Sequence, residues 1–224
     1  MNFILAAKCA PDERILADIE RAGIPAVELY LSRNVMKDPG AAIAVCRKFG
    51  FRYAVHAPND DLDPAGLREF VQAVDAGVII LHDIFWEDEW LEIIDCFRDR
   101  LPDLCIENLG RIAEPNKFMR RFGMGRCLDL EHMQFEIHGV YEEEFINIIR
   151  ESSHIHLTGY RAGSELWHTH LHHDAAHARY MLDLIYRSGY SGFVVSEART
   201  RYQTYDEFRM LVGFFNEWRA QYPA

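Results

Sequence analysis

The chain has 224 residues and a formal net charge of -11, and 49% of its residues are hydrophobic. That apolar fraction is enough for a folded core and argues against intrinsic disorder. No run of Lys or Arg is longer than a pair, so a surface built to hold a polyanion, and with it a nucleic-acid partner, is disfavoured. The length fits a single barrel domain spanning 1–224, although length alone also allows two domains.

Cysteine usage and hydropathy bear on the compartment. The five cysteines form no CxxC pair, and we interpret them as reduced, mostly buried residues. The apolar stretch at residues 3–7 is too short for the core of a signal peptide, and no stretch approaches the roughly 18 apolar residues of a membrane span. These features predict a cytoplasmic protein with no membrane partner, and they leave open whether it forms a homo-oligomer.

Eight short apolar runs, rich in β-branched residues, recur along the chain and predict β-strands. In chain order they cover residues 3–7, 26–31, 53–55, 78–81, 104–106, 127–130, 154–157 and 193–195. Segments with helical spacing separate them, as where Leu67, Phe70, Val71 and Val74 share one apolar face.

Eight alternating strands and helices predict a parallel (β/α)8 TIM barrel with outer helices. An open, doubly wound sheet is the alternative. A Gly-rich turn after the first strand would favour that sheet, and the residues at 8–11 are Lys-Cys-Ala-Pro instead.

Metal-binding residue types stand at or just past the ends of six different runs. They are His56, His82, Glu107, Asp129, His156 and Glu197. A parallel barrel gathers the carboxyl ends of its strands into one mouth, where the three acids would repel one another unless a cation neutralised them. A divalent metal with carboxylate and imidazole ligands is the favoured interpretation. The alternative is that each acid pairs with an arginine, for which Arg126, Arg161 and Arg199 are available.

Further histidines extend this set. His132 follows Asp129 by three residues, so it is a candidate ligand of a second metal, a donor to substrate, or a helix-start histidine without a role. The long segment at residues 159–174 follows the seventh strand; in it, His168 and His170 alternate and suit a shared metal, whereas we interpret His172 and His173 as surface or helix-start residues. Candidates for substrate contact near strand ends are Lys8, Glu28, Tyr30, Arg161, Trp167 and Arg199, with the role of Glu28 left undecided.

The motifs that carry these residues resemble those of the xylose isomerase-like TIM barrel superfamily, over nearly the whole chain. They are Val-Glu-Leu at 27–29, Val-His-Ala-Pro at 55–58, Ile-Glu-Asn at 106–108, Leu-Asp-x-x-His at 128–132, His-x-His-Leu at 154–157 and Val-Ser-Glu at 195–197. That superfamily holds sugar isomerases and epimerases together with the endonuclease IV group of DNA-repair enzymes.

Each branch implies its own set of roles. The epimerase branch implies one metal held by Glu107, Asp129, His156 and Glu197, in which the two glutamates are also the catalytic acid and base. It further implies that His132 and Arg161 orient substrate hydroxyls. The endonuclease branch implies three metals and nine ligands. In chain order the nine are His56, His82, Glu107, Asp129, His132, His156, His168, His170 and Glu197, and His168 departs from the aspartate of that family.

From these observations we expect a metal-dependent isomerase or epimerase that acts on a sugar or sugar phosphate. Its cofactor would be one to three divalent ions, with Zn or Mn favoured and Fe allowed. The alternative is a metal-dependent phosphoester hydrolase related to endonuclease IV. A third interpretation, from another functional class, is a barrel that binds metal or ligand without turnover.

Overall fold

The computed structural model describes residues 3–109, 119–133, 142–161 and 163–222. Eight parallel strands close into a barrel in the order β1 to β8, and β8 pairs back onto β1. The strands are β1 Ile4–Cys9, β2 Ala26–Tyr30, β3 Arg52–His56, β4 Val78–His82, β5 Leu104–Glu107, β6 Gly125–Asp129, β7 His154–Leu157 and β8 Phe193–Ser196. The predicted TIM barrel is therefore confirmed.

Helices surround the barrel and alternate with the strands. In the described residues they are α1 Glu13–Ala22, α2 Arg33–Lys37, α3 Pro39–Cys46, α4 Pro64–Val74, α5 Glu87–Cys96, α6 Leu130–Met133, α7 Glu142–Arg150, α8 Ala175–Ser188 and α9 Tyr205–Arg219. Short 3-10 turns lie at Arg98–Asp103, Leu171–Asp174 and Thr200–Tyr202. The sequence pattern assigned Leu130 to a strand, but it begins α6 because Asp129 ends β6 and caps the turn that follows.

Local sequence signals set the helix ends, and α1 is an example. The Asp12 carboxylate accepts a hydrogen bond from the Ile15 backbone N–H at 3.0 Å, which satisfies one of the free donors at the helix start. Gly23 ends the helix in the left-handed region, at φ 85°. Between them Ile15, Leu16 and Ile19 are buried on one face, and burying each apolar side chain contributes about 1.5–3 kcal/mol.

Two layers of side chains fill the barrel interior. Each residue of the upper layer lies two positions after a residue of the lower layer in the same strand. The lower layer is small and mostly apolar, and it includes Ala6, Ala26, Ala54, Ile80, Cys105, Cys127 and Val195. Side chains two positions further along a strand face the same side. Those positions hold Lys8, Glu28, His56, His82, Glu107, Asp129 and Glu197. A compact apolar floor thus supports a polar layer at the mouth.

Among the described residues, no helix is both long and apolar enough to pass through a membrane. All five cysteines are free thiols, and four of them are buried.

Candidate metal centre and active-site cavity

Glu107, the last residue of β5, lies at the centre of the polar layer with 1% of its side chain exposed. Its Oε2 atom lies 3.0 Å from His56 Nε2, 3.3 Å from His82 Nε2 and 3.6 Å from His156 Nδ1. Burial alone would raise the pKa of Glu107. The charge on His156 and the close contacts of His132, His156 and His56 with the carboxylate instead hold that pKa well below its usual value. Glu107 is therefore an ionised, buried carboxylate.

Hydrogen bonds from its neighbours orient Asp129 and engage only one of its two carboxylate oxygens. Its Oδ1 atom accepts a hydrogen bond from the His132 backbone N–H at 2.8 Å. The Asn108 side chain donates to the Asp129 carbonyl at 3.0 Å and accepts from the Asp129 N–H at 2.8 Å, which ties the ends of β5 and β6 together. The Asp129 Oδ2 atom is buried and has no hydrogen-bond partner among the described residues. It lies 3.6 Å from His156 Nδ1.

His156 is held from behind by Glu28. The Glu28 Oε2 atom lies 2.8 Å from His156 Nε2 and 2.7 Å from His154 Nε2, and all three side chains are fully buried. The Nδ1 atom of His156 has no hydrogen-bond partner among the described residues and faces Glu107, Asp129 and Glu197. Burial would lower the pKa of His156, but the electrostatic effects of Cys127, Glu28 and Glu107 raise it well above its usual value, so an ion would bind Nδ1 in place of a proton. A histidine that binds a metal usually donates its other ring N–H to a carboxylate, as Nε2–H of His156 can to Glu28.

Lys8 balances part of the negative charge. Its Nζ atom lies 3.1 Å from both Glu28 Oε1 and Glu197 Oε1. Burial would lower the pKa of Lys8, but the charges of Glu197, Glu28 and Glu107 raise it, so the ammonium stays charged. Burial likewise would raise the pKa of Glu197, and the charge of Lys8, followed by that of His156, lowers it. The two carboxylates that contact Lys8, those of Glu28 and Glu197, are therefore both ionised.

A second cluster shares Glu107 with the first. The His56 Nδ1 atom lies 3.0 Å from the Ala57 carbonyl oxygen, which can accept its proton, and in that tautomer Nε2 faces Glu107 with a free lone pair. His82 Nε2 approaches the same carboxylate oxygen, and the rings of His56 and His82 are 4.7 Å apart. Two groups that share Glu107 at the mouth could thus hold an ion, Glu107–Asp129–His156 and His56–His82–Glu107.

The residues present fit a divalent metal. Two donor atoms on one tetrahedral ion with bonds of about 2.0–2.1 Å are roughly 3.3 Å apart. The separations of 3.0 to 3.6 Å around Glu107 and His156 match that spacing. Buried polar atoms without partners are costly, and Asp129 Oδ2 and His156 Nδ1 are two that face each other across this centre. A shared cation would satisfy both atoms.

A cavity of about 610 Å³ opens above the polar layer. It is lined by Lys8, Tyr30, His56, Asn59, His82, Glu107, His132, His168, Glu197, Arg199 and Gln203, together with residues of the β1–α1 loop, α1 and the segment after β8. That volume lies within the usual range for small-molecule sites. His132 lies at its wall, with Nδ1 3.5 Å from both Glu107 Oε1 and Asp129 Oδ2.

The structure brings most of the predicted ligands together at this mouth. Three predicted site residues do not contact that group of ligands: two lie outside the cavity, and one lines the cavity but contacts another acid. His170 is buried behind β8, where its ring nitrogens meet Ser196 Oγ at 2.9 Å and the Tyr202 carbonyl at 3.2 Å. Arg161 has 65% of its side chain exposed and pairs with Asp174 at 3.1 Å, outside the cavity lining. His168 does line the cavity, but its Nδ1 atom lies 3.3 Å from Glu131.

Two acids of the site were not assigned from sequence. The sequence does not indicate a role for Glu28, which is the buried partner of His154, His156 and Lys8. Glu131 is buried and accepts a hydrogen bond from Thr158 and one from the backbone N–H of His168 at 3.1 Å; the φ of His168 is 47°. No local sequence signal marks Glu131, because it lies on a short helix and its partners come from the loop after β7.

Known proteins show similarity to this chain in structure alone. No family model matches the sequence, and the comparison with curated proteins found no match. A D-allulose 3-epimerase from Methylomonas sp. is 11% identical and superposes with a TM-score of 0.68, over 97% of this chain and 98% of that one. SacUVDE is 12% identical with a TM-score of 0.57, over 97% and 98% of the two chains.

A phosphoribosylanthranilate isomerase from Thermotoga maritima is 10% identical with a TM-score of 0.59, over 96% and 98% of the two chains. At such low identity these likenesses show the fold. They confirm the barrel fold.

Proposed function

We propose that this protein is a metal-dependent isomerase or epimerase acting on a sugar or similar polyol, with or without a phosphate. The observation that carries the proposal is that Glu107 and Glu197 both line one cavity, directly above the buried donors of Asp129 and His156. Two ionised carboxylates at the wall of a small-molecule cavity are what proton transfer at a sugar carbon needs. The D-allulose 3-epimerase with the same fold makes a sugar substrate a reasonable choice.

In this proposal the two glutamates exchange one proton with the substrate. One carboxylate removes the proton from the carbon next to the carbonyl. The other glutamate takes up a proton from solvent at the open cavity and delivers it to the opposite face or to the neighbouring carbon, while the first group releases its own proton to solvent. Lys8 keeps Glu197 ionised, and the surrounding histidines do the same for Glu107. A divalent ion held by Glu107, Asp129, His156 and Glu197 would supply Lewis-acid polarisation of the substrate carbonyl. Each proton-transfer group typically contributes about 10²–10⁴-fold in rate.

The metal preference follows from the donor types. Carboxylates and imidazoles suit Zn, Mn or Fe, whereas Mg and Ca prefer all-oxygen shells. Cys127 lies beneath the site beside His154 and His156, but burial raises the pKa of its thiol well above the usual value, so the weakly ligating thiol form is kept. The net charge of -11 supports a small-molecule substrate over nucleic acid.

The cluster of His56, His82 and Glu107 favours one alternative, a phosphoester hydrolase. With Glu107 shared between both groups of ligands, two ions could lie side by side, and paired metals are typical of enzymes that cleave phosphate esters. The number of ions bound at the mouth therefore bears on the choice. One ion at the mouth supports the isomerase, and two or three support the hydrolase.

Solvent deuterium separates these functions. Metal-loaded protein would be incubated in D2O with a panel of ketoses, ketose phosphates and phosphodiesters, with products followed by NMR. We expect one deuterium to enter at the isomerised or inverted carbon, and Glu107→Gln to abolish it while the exposed control Glu217→Gln retains it. Ester cleavage without carbon exchange would replace the proposal with the hydrolase. Tight sugar binding with neither reaction would indicate a binding protein.

A further inference from the structure

A second group of metal-ligating side chains lies away from the mouth, at the outer side of the barrel. His172 and His173 belong to the 3-10 turn Leu171–Asp174, and Glu207 lies in the first turn of α9. His173 Nε2 lies 2.9 Å from Glu207 Oε2, and His172 Nε2 lies 3.1 Å from that same oxygen. Potential metal-ligand atoms of the three side chains thus lie close together, although the residues belong to two different elements.

The contact of His172 with Glu207 lacks hydrogen-bond geometry. Both ring nitrogens of His172 are buried and have no hydrogen-bond partner among the described residues. Leaving such a nitrogen without a partner costs roughly 1–3 kcal/mol. His173 Nε2 already hydrogen-bonds to Glu207 Oε2. The imidazole of His172 lies beside the same oxygen without bonding to it, which is better explained if His172 and Glu207 are ligands of one metal ion than if His172 is a second hydrogen-bond donor.

The spacing of these groups suits a transition metal, and the lowered pKa of His172 agrees with it. Donor atoms on a tetrahedral zinc ion lie roughly 3.3 Å apart, and the two histidine–carboxylate separations are 2.9 and 3.1 Å. Burial, followed by the charge of His173, lowers the pKa of His172, so its imidazole is kept in the neutral, ligating form. Solvent can reach the cluster, because the side chains of His172, His173 and Glu207 are 14%, 25% and 19% exposed.

We propose that His172, His173 and Glu207 form a peripheral divalent-metal site of the zinc type, separate from the mouth, with water completing the coordination. Such an ion would join the turn after β7 to α9. The segment that precedes this turn carries His168, so the ion would also brace one wall of the cavity. The site is independent of the proposed function, because none of its three ligands lines the cavity.

Zinc stoichiometry tests this site. Metal-free wild type, Glu207→Gln and His172→Asn would be titrated with Zn²⁺ alone and the bound metal counted. We expect both variants to bind one zinc fewer than wild type. Glu217→Gln, a matched control on the same helix whose partner is the surface residue Arg179, should bind the wild-type number. Glu107→Gln should lose zinc at the mouth and keep the peripheral ion.

Equal zinc counts in wild type, Glu207→Gln and His172→Asn would overturn the proposal. If the variants do not fold, zinc-edge anomalous diffraction from wild-type crystals in excess zinc decides instead. A peak bonded to Nε2 of His172, Nε2 of His173 and a carboxylate oxygen of Glu207 supports the site. No peak there, at a zinc concentration that fills the mouth, overturns it.

Discussion

Replacing Glu107 with glutamine should reduce turnover by at least about 10²–10⁴-fold and leave the fold intact. Glutamine keeps the size of the side chain and one carbonyl oxygen, so packing at the end of β5 is retained. The change removes the negative charge that His56, His82, His132 and His156 all face. Zinc or manganese affinity at the mouth should fall with it. The measurements are turnover of whichever panel substrate reacts, bound metal, and the circular dichroism of both proteins.

Glu217→Gln is the matched control for this change, because it makes the same substitution at an exposed position of α9. It should match wild type in all three measurements. Wild-type turnover in the Glu107→Gln variant would remove Glu107 from the mechanism. Wild-type metal affinity combined with lost turnover would leave it as a catalytic group that is not a ligand.

Glu28→Gln should have the second largest effect, although Glu28 does not line the cavity. His154 and His156 both contact the same oxygen of Glu28, Oε2, while Oε1 faces Lys8. A glutamine can keep that acceptor only by turning its NH2 group toward the Lys8 ammonium, and in the opposite orientation its NH2 group faces the two histidines, so the tautomer of His156 is no longer fixed. Loss of such a partner typically lowers metal affinity by about 10–100-fold. The change also leaves Lys8 with one of its two buried partners, and breaking a buried pair destabilises a fold by about 3–5 kcal/mol.

A double variant separates these two effects. Lys8→Met combined with Glu28→Gln removes the buried ammonium that has lost its contact with Glu28, so we expect part of the lost unfolding free energy to return while metal affinity stays low. Zinc titration and chemical denaturation of the single and double variants measure the two quantities. Wild-type zinc affinity in Glu28→Gln would show that His156 needs no partner on its Nε2 side.

Much of the fold could be predicted because the eight strands and the helices carry strong local patterns. Several candidate ligands could be selected for the same reason: Glu107, Asp129 and His156 lie at strand ends, which a parallel barrel brings together. The inward direction of Lys8 and Glu28 could not be read in this way. Strands of a parallel barrel are buried on both faces, so alternation does not reveal which residues face the interior.

The irregular segment after β7 was harder for a different reason. His168 and His170 were expected to project together from an extended loop. The left-handed backbone at His168 breaks that alternation and directs the two rings to different partners, Glu131 and Ser196. Arg161 similarly pairs with Asp174 across its own loop. Such contacts depend on tertiary packing and leave no periodic signal in the sequence.

The most direct test of the account is zinc-edge anomalous diffraction from crystals of the wild-type protein grown with zinc. If the mouth is a metal site, we expect a peak there, bonded to His156 Nδ1, Asp129 Oδ2 and a carboxylate oxygen of Glu107. An empty mouth, with Asp129 and Glu107 turned away from each other while zinc binds elsewhere on the protein, would contradict it.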